Sequence, residues 1–265
     1  MIPKKIHYCW FGGNPLPKLA KKCIKSWKKY CPDYEIIRWD ESNFDISSAP
    51  LYVQQAYNAK KWAFVTDYVR LYAMVTQGGI YMDTDVEIVK PLDSFLHHQA
   101  FSGFESEKDI PTGIMACQKN FPLFLEFLEY YNNIVFLKDD GEYNLITNVI
   151  IMTDITEKHG LIRNGCFQVV SGFALYPKDY FCPIDLGTFD LKKTENTVAI
   201  HWFGGSWLPD EMKLEKKKII RKKKKQQRDK WKYQFIYFPN RALRKILGQE
   251  KYEKMKKKIF ERKRK

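Results

Sequence analysis

One stretch of this 265-residue chain constrains its fold more than any other. Phe64, Tyr68, Leu71, Tyr72 and Val75 follow the i, i+4, i+7, i+8, i+11 spacing of a single helix face. Gly78-Gly79 then stops the pattern with the residue type best suited to the positive φ of a helix C-cap. Ile80-Tyr81-Met82 follows as a short buried strand, and Asp83-Thr84-Asp85 forms its end. A helix that runs through a tight glycine turn into a buried strand argues for an α/β sheet.

The flanking segments agree. Ile6-His7-Tyr8-Cys9-Trp10-Phe11 reads as a first buried strand, stopped by Gly12-Gly13. Leu19, Cys23 and Trp27 recur four apart in a predicted helix from Lys18 to Tyr30, and Pro32-Asp33 breaks it. Glu35 to Trp39 reads as a second strand with Asp40 directly after it, and Val86 to Val89 as a further extended piece. A helix is predicted over residues 121–132, and later strands at Gln168-Val169-Val170 and Val198-Ala199-Ile200-His201. The first strand and the last one echo each other, Ile6-His7 through Gly12-Gly13 against Ile200-His201 through Gly204-Gly205, yet no repeat has a fixed period.

The net charge of +14 suggests a nucleic-acid binder until it is mapped along the chain. Residues 213–265 hold 24 Lys and Arg against 5 Asp and Glu, a net of +19. The whole chain has 45 and 31, which leaves residues 1–212 with 21 basic and 26 acidic side chains, a net of −5. The division predicts a catalytic domain over residues 1–210 and a basic helical tail over residues 211–265. Apolar stripes interrupt the tail's charge: Trp231, Phe235 and Phe238, then Leu243, Ile246 and Leu247, then Tyr252, Met255 and Ile259. The six cysteines form no C-x-x-C pair and no Cys/His cluster, which argues against a zinc site or disulfide framework and for a reduced, cytosolic setting. Residues 1–5 turn polar too early for a signal peptide, and no window approaches the roughly 20 apolar residues of a membrane span. A soluble or peripheral protein is expected.

Asp83 and Asp85 offer hard oxygen ligands. Successive strand residues point to opposite faces, so both carboxylates reach one Mn²⁺ or Mg²⁺ only if the chain turns after Met82. An ion held by few protein ligands keeps positions open for diphosphate oxygens and neutralises charge on a departing nucleoside diphosphate. A lone D-x-D is common in solvated turns, so its surroundings decide.

Those surroundings are Phe64-Val65-Thr66-Asp67-Tyr68-Val69-Arg70-Leu71-Tyr72, then Gly78-Gly79-Ile80-Tyr81-Met82 and Asp83-Thr84-Asp85. With Ile2-Pro3-Lys4, Trp10-Phe11-Gly12-Gly13, Trp39-Asp40 and His201…Ser206-Trp207, they resemble the DXD-containing sugar-transfer family of bacterial capsular polysaccharide synthesis. That family also takes in yeast mannosyltransferases and, more distantly, the catalytic domains of large glucosylating toxins. The resemblance covers about residues 1–210 and implies a GT-A fold with a mixed sheet, read at the C-terminal ends of its strands.

It further implies a retaining hexosyltransferase using a UDP-sugar of galactose or glucose type and Mn²⁺ or Mg²⁺. Trp10 resembles the residue that stacks on uracil, beside Phe11, while a core tryptophan is the plain alternative. Asp40 resembles a position near the nucleoside, or is a helix N-cap. Asp67 and Arg70 form an i, i+3 ion pair and in the family face the donor sugar. Asp85 is expected on the metal. Asp83 is expected on the sugar, the ribose or a metal-bound water, with Thr84 between them on the donor. His201 is the third candidate ligand, and Ser206 and Trp207 resemble a closing loop over the β-phosphate. Asn144, Thr147 and Asn148 resemble a sugar or acceptor pocket. Three readings of the tail stand: contact with nucleic acid, packing on the body, or docking on the anionic inner face of a bacterial plasma membrane where a saccharide or lipid-linked acceptor waits. The last is preferred, and no nucleic-acid partner is expected.

Overall fold

The computed structural model describes residues 1–205, 214, 218–223, 225–229 and 248–250. In chain order the elements are β1 (Lys5–Cys9), α1 (Lys18–Tyr30), β2 (Glu35–Trp39), α2 (Leu51–Asn58), α3 (Trp62–Gln77), β3 (Gly79–Met82) and β4 (Val86–Ile88). They continue through β5 (Ala100–Gly103), β6 (Ile114–Cys117), α4 (Pro122–Glu129), α5 (Asn148–Lys158), β7 (Gln168–Val170), β8 (Phe173–Tyr176), α6 (Lys178–Phe181) and β9 (Ala199–His201).

Seven strands form one mixed sheet in the order β2-β1-β3-β6-β5-β8-β7, while β4 and β9 pair in a separate antiparallel ribbon. β1 runs parallel to β2 and β3, and β6 runs antiparallel to β3 and β5. β5 therefore points the same way as β3, and β8 follows it in parallel. The mixed α/β sheet expected of a GT-A domain is present, and the carboxyl ends of β1, β3, β5 and β8 share one edge.

Two cores cover the sheet's faces, and strand alternation sorts side chains between them. On β3, Tyr81 joins the cluster of Phe64, Tyr68, Met74 and Phe124, whereas Ile80 and Met82 join that of Trp27, Phe95 and Phe181. Trp27 is wholly buried, and its Nε1 donates to Val86 O at 2.7 Å, which ties α1 to β4. Truncating such an indole to alanine costs about 3–5 kcal/mol.

The glycine turn into β3 is as the spacing predicts. Gly78 caps α3 with φ +65° and Gly79 follows at φ +111°. A Cβ on Gly78 would lie 2.7 Å from Lys119 N, and one on Gly79 would lie 2.8 Å from Lys5 O. Space and conformation therefore both require glycine here. The first strand is shorter than its apolar run suggests, for β1 ends at Cys9, and Trp10 keeps one backbone bond, to Trp39 O at 2.9 Å. The helix predicted over residues 121–132 ends at Glu129 and tightens into a 3₁₀ turn at Tyr130–Asn133.

All six cysteines are free thiols. Among the described residues no helix is long and apolar enough to cross a membrane. The chain divides into two compact units, Met1–Trp207 and Leu208–Lys265. Residues 218–223 and 225–229 of the second are helical. The tail's three apolar stripes, and Ser206 and Trp207, lie outside the described residues.

Candidate active site

The turn that the two-carboxylate reading requires is in place. Asp83 N donates to Gly113 O at 2.8 Å and Val86 N donates to Asp83 O at 2.9 Å, so the chain folds back within residues 83–86. Thr84 occupies the corner. The turn delivers the chain into β4, whose partner β9 pairs Val86 with His201. As a result, oxygens of Asp83 and Asp85 and a ring nitrogen of His201 all lie within 4.8 Å of one another. His201 Nε2 is 3.4 Å from Asp85 Oδ1 and 4.0 Å from Asp83 Oδ2.

The histidine is held on every side. Phe203 stacks on its ring at 4.0 Å between centroids. Gly113 packs so close that a Cβ there would meet the ring at 2.6 Å. The Cys182 thiol interacts with the imidazole, and His201 Nδ1 is buried with no hydrogen-bond partner. Burial opposes the His201 charge, but Asp85 outweighs it and raises the pKa well above the usual histidine value. Asp85 is pushed the other way, down to about 2: burial raises it, while the His201 charge and hydrogen bonds from His201 and Gly204 N lower it further. Gly204, with no side chain, approaches close enough to donate its N–H to Asp85 Oδ2. The His201 ring nitrogen thus faces two carboxylates that favour a positive charge between them. Two carboxylate oxygens and an imidazole nitrogen form a donor set suited to Mn²⁺ or Mg²⁺.

Asp67 and Arg70 stand beside this cluster on α3. Their pair is real, with Nη2 3.3 Å from Asp67 Oδ1, and Arg70 also reaches Asp83 Oδ1 at 3.5 Å. The guanidinium is fixed by Thr66 O, Thr66 Oγ1 and Thr112 O, and lies 4.8 Å over the Tyr81 ring. Tyr81 in turn donates to Asp83 Oδ1 at 2.8 Å. Burial lifts the Asp67 carboxyl to about 7 despite the pull of Arg70. Burial works against the Arg70 charge as well, yet Asp83, Tyr81 and Asp67 together raise its pKa.

Asn148 grips Asp67 from the amino end of α5. Its backbone N–H stabilises the Asp67 carboxylate, and its Nδ2 donates to Asp67 O at 2.9 Å and to the Tyr131 hydroxyl at 3.0 Å. Asn148 Oδ1 is buried without a partner. Thr147 precedes α5 as its N-cap position, and Asn144 sits in the hairpin before it, donating to Phe136 O.

The remaining sequence candidates lie on the same edge of the sheet but outside the cluster. Trp10 follows β1 half-buried, with Nε1 donating to Asn14 O at 2.6 Å. Phe11 is buried in the core, edge-on to Phe44. Asp40 accepts from Ser42 N and Oγ and pairs with Arg38 at 2.7 Å. These contacts, Ser42 first, hold its carboxyl below the usual range and make it a cap of the turn after β2.

Sequence reasoning missed Glu105, which follows β5 on the same edge. Burial pushes its carboxyl up to about 7, with His201 opposing and Asp109 and Asp83 adding to the rise. It also missed Cys182, Gly113 and Thr112, none of which belongs to a motif. The hydrophobic pattern of the segments around them gives no sign that the fold brings them to β3.

Residues 17–102 match the family model for the glycosyltransferase sugar-binding region containing a DXD motif. The matched stretch takes in the Asp67/Arg70 helix and the Asp83/Asp85 turn. The chain is 33% identical over 132 residues to inositol phosphoceramide mannosyltransferase 3 of Schizosaccharomyces pombe, covering 47% of this chain and 36% of that protein. It is 29% identical over 161 residues to an uncharacterized glycosyltransferase of Acanthamoeba polyphaga mimivirus, covering 56% of this chain and 61% of the relative. The match thus spans between about a third and three fifths of these relatives' lengths. Among solved structures, the PaToxG glycosyltransferase aligns with a TM-score of 0.48 at 21% identity, over 59% of this chain and 68% of that one.

Proposed function

We propose that this chain, which carries the sugar-binding region of DXD glycosyltransferases, is a divalent-metal-dependent hexosyltransferase acting on a nucleotide-sugar. The observation that carries the reading is the convergence of Asp83, Asp85 and His201 from two chain segments more than a hundred residues apart. Mn²⁺ or Mg²⁺ held there would neutralise the diphosphate as it leaves. In the transfer, the bond from the anomeric carbon to the β-phosphate oxygen breaks and its electron pair leaves with the nucleoside diphosphate. A bond from the acceptor oxygen to that carbon forms, and the acceptor's proton passes to the departing β-phosphate oxygen or to solvent.

The protein's own side chains would divide the work. Asp85 and His201 hold the ion with Asp83 beside them, and Arg70, braced by Thr112 and Tyr81, presents a rigid fork to the sugar hydroxyls. Asp67 accepts from the same sugar. Trp10 would stack on the base, with Phe11 and Asp40 shaping the loops behind it and Thr84, Ser206 and Trp207 meeting the phosphates. The rigidity of the bracing around Arg70 supports this assignment, because positioning dominates reactions of this class.

The donor we favour is a UDP-hexose of galactose or glucose type, transferred with retention to a glycan or lipid-linked acceptor in capsular or surface polysaccharide synthesis. The name of the yeast relative, a mannosyltransferase, favours a second donor, an activated mannose. The tail's charge of +19 supports a peripheral position on the inner face of a bacterial plasma membrane. Hydrolysis of a panel of nucleotide-sugars with Mn²⁺ would identify the donor. No turnover of any member, with or without acceptor sugars, would contradict the reading.

A further inference from the structure

Helix α1 carries a second feature that the transfer reaction does not use. Its sequence, Lys-Leu-Ala-Lys-Lys-Cys-Ile-Lys-Ser-Trp-Lys-Lys-Tyr, contains no acidic residue. Ala20, Cys23 and Trp27 are buried, whereas Lys18, Lys21, Lys22, Lys25, Lys28 and Lys29 are all exposed. At 100° per residue the six lysines fall in a band opposite the buried face, along a helix about 20 Å long. Residues 1–212 carry a net −5, so this concentration stands against the trend of the body around it. Between α1 and β4 lies an open groove of about 490 Å³, lined by Lys22, Lys25, Lys28 and Lys29 together with Glu87. Lys22 is occupied, paired with Glu87 at 2.7 Å, and Lys29 lies over the Tyr30 ring. Lys18, Lys21, Lys25 and Lys28 have no carboxylate partner among the described residues.

Four uncompensated ammonium groups on one face repel one another, and an anionic partner would relieve that repulsion. Duplex nucleic acid fits poorly. Its phosphates continue far beyond a 20 Å stripe and would run against the acidic remainder of the body. Anionic lipids diffuse within their leaflet and gather under the stripe alone, which suits an isolated band of lysines.

Topology gives this contact a consequence. β1 and β3 are parallel, so the loop of residues 10–17 leaves β1 at the edge where Asp83 follows β3. The Lys18 end of α1 therefore lies at the rim of the candidate active site. The helix is also tied to the cluster, because Glu87 accepts from both Lys22 and Trp202 Nε1, next to His201.

We propose that the lysine face of α1 docks the catalytic body on an anionic lipid surface and so holds the mouth of the Asp83/Asp85/His201 site at headgroup level. The docking stands on the charge distribution alone, while its benefit to catalysis rests on the glycosyltransferase reading. The test compares the full chain with a full-length variant carrying Lys18→Gln, Lys21→Gln, Lys25→Gln and Lys28→Gln. Partition is measured by sedimentation with vesicles of phosphatidylcholine, alone or mixed with phosphatidylglycerol, in the absence of donor.

The four side chains are exposed, so the melting temperature should not change. Partition onto the mixed vesicles should fall by at least about tenfold, and the residual binding to neutral vesicles should not. Unchanged partition onto mixed vesicles would overturn the proposal, as would an equal fall on neutral ones. Loss of duplex-DNA binding in place of vesicle binding would overturn it in favour of nucleic acid. Hydrolysis of nucleotide-sugar in solution should be the same for both proteins. Failure of the parent chain to hydrolyse any donor would bear on the enzyme reading and leave the partition result to stand by itself.

Discussion

His7 and His201 sit in matching sequence, Ile-His followed by aromatics and Gly-Gly, and both are buried on strands, yet their surroundings give them opposite roles. His7 lies in β1, inside the seven-stranded sheet, and is satisfied at both nitrogens. Trp39 Nε1 donates to Nδ1 at 3.0 Å, and Nε2 donates to Gly78 O at 2.9 Å. Burial, with Lys5 adding to it, drives the ring's pKa down to about 4, so it is a neutral peg between β1, β2 and the glycine turn. His201 lies in β9, faces two carboxylates through Nε2, and has no nitrogen or oxygen partner at Nδ1. The same dipeptide is fully paired in one strand and faces two carboxylates in the other. What separates them is the pair of carboxylates that the turn at residues 83–86 places against β9.

The comparison breaks most visibly under paired substitution. His201→Ala should lower turnover by about 10²–10³-fold and weaken Mn²⁺ binding, with little loss of fold. His7→Ala should leave Mn²⁺ affinity intact and lower the melting temperature instead. Titration calorimetry and thermal melts on the two variants decide it, and the same phenotype in both would erase the distinction.

A second test extends the reactive side to α3. Asp67→Ala and Arg70→Ala should each cost turnover about 10²-fold while changing affinity for free UDP by less than about threefold. UDP lacks the sugar these groups are assigned to hold. A large loss of UDP affinity would make the pair a structural brace.

The peg itself predicts a pH effect. The His7 pKa is about 4 in the fold against about 6.5 when unfolded. Above pH 6.5 the ring is neutral in both states and its contribution is complete. As pH falls from 6.5 to 4 the unfolded chain takes up the proton first, and stability declines by something on the order of 3 kcal/mol. In His7→Gln this part of the decline should vanish, which denaturant titrations at a series of pH values would show. Parallel curves for parent and variant would mean that His7 is not held neutral.

The smallest effect is expected behind His201. Cys182→Ala should weaken Mn²⁺ binding by about tenfold, since groups that orient a metal-ligating histidine contribute on that scale. Cys182→Ser should recover part of it. Equal affinity in all three proteins would leave the ring to be oriented by Phe203 and Gly113 alone.

The half of the molecule with strong local signals was legible in the sequence. Helical spacing from Phe64 to Val75, the Gly78-Gly79 stop and the short apolar run after it place α3, β3 and the Asp83 turn where the structure has them. β5, β6 and β8 were not anticipated. Each has four residues, and Ile-Met-Ala-Cys or Ala-Phe-Ser-Gly, buried on both faces, shows no alternation to distinguish strand from helix. The same limit hid Glu105 and Gly113, whose places depend on where β5 and β6 enter the sheet. Asp40 shows the opposite case, a strand-end carboxylate whose contacts with Ser42 and Arg38 match the capping alternative already visible in the sequence.

The measurement that bears most directly on the account is nucleotide-sugar turnover as a function of free Mn²⁺, for the parent chain and for Asp85→Ala. Turnover should follow saturation of a single ion site, disappear in excess EDTA, return on adding Mn²⁺ or Mg²⁺, and be absent at every metal concentration in the variant. Full turnover in EDTA, or a variant as active as the parent, would contradict a metal centre built from Asp83, Asp85 and His201.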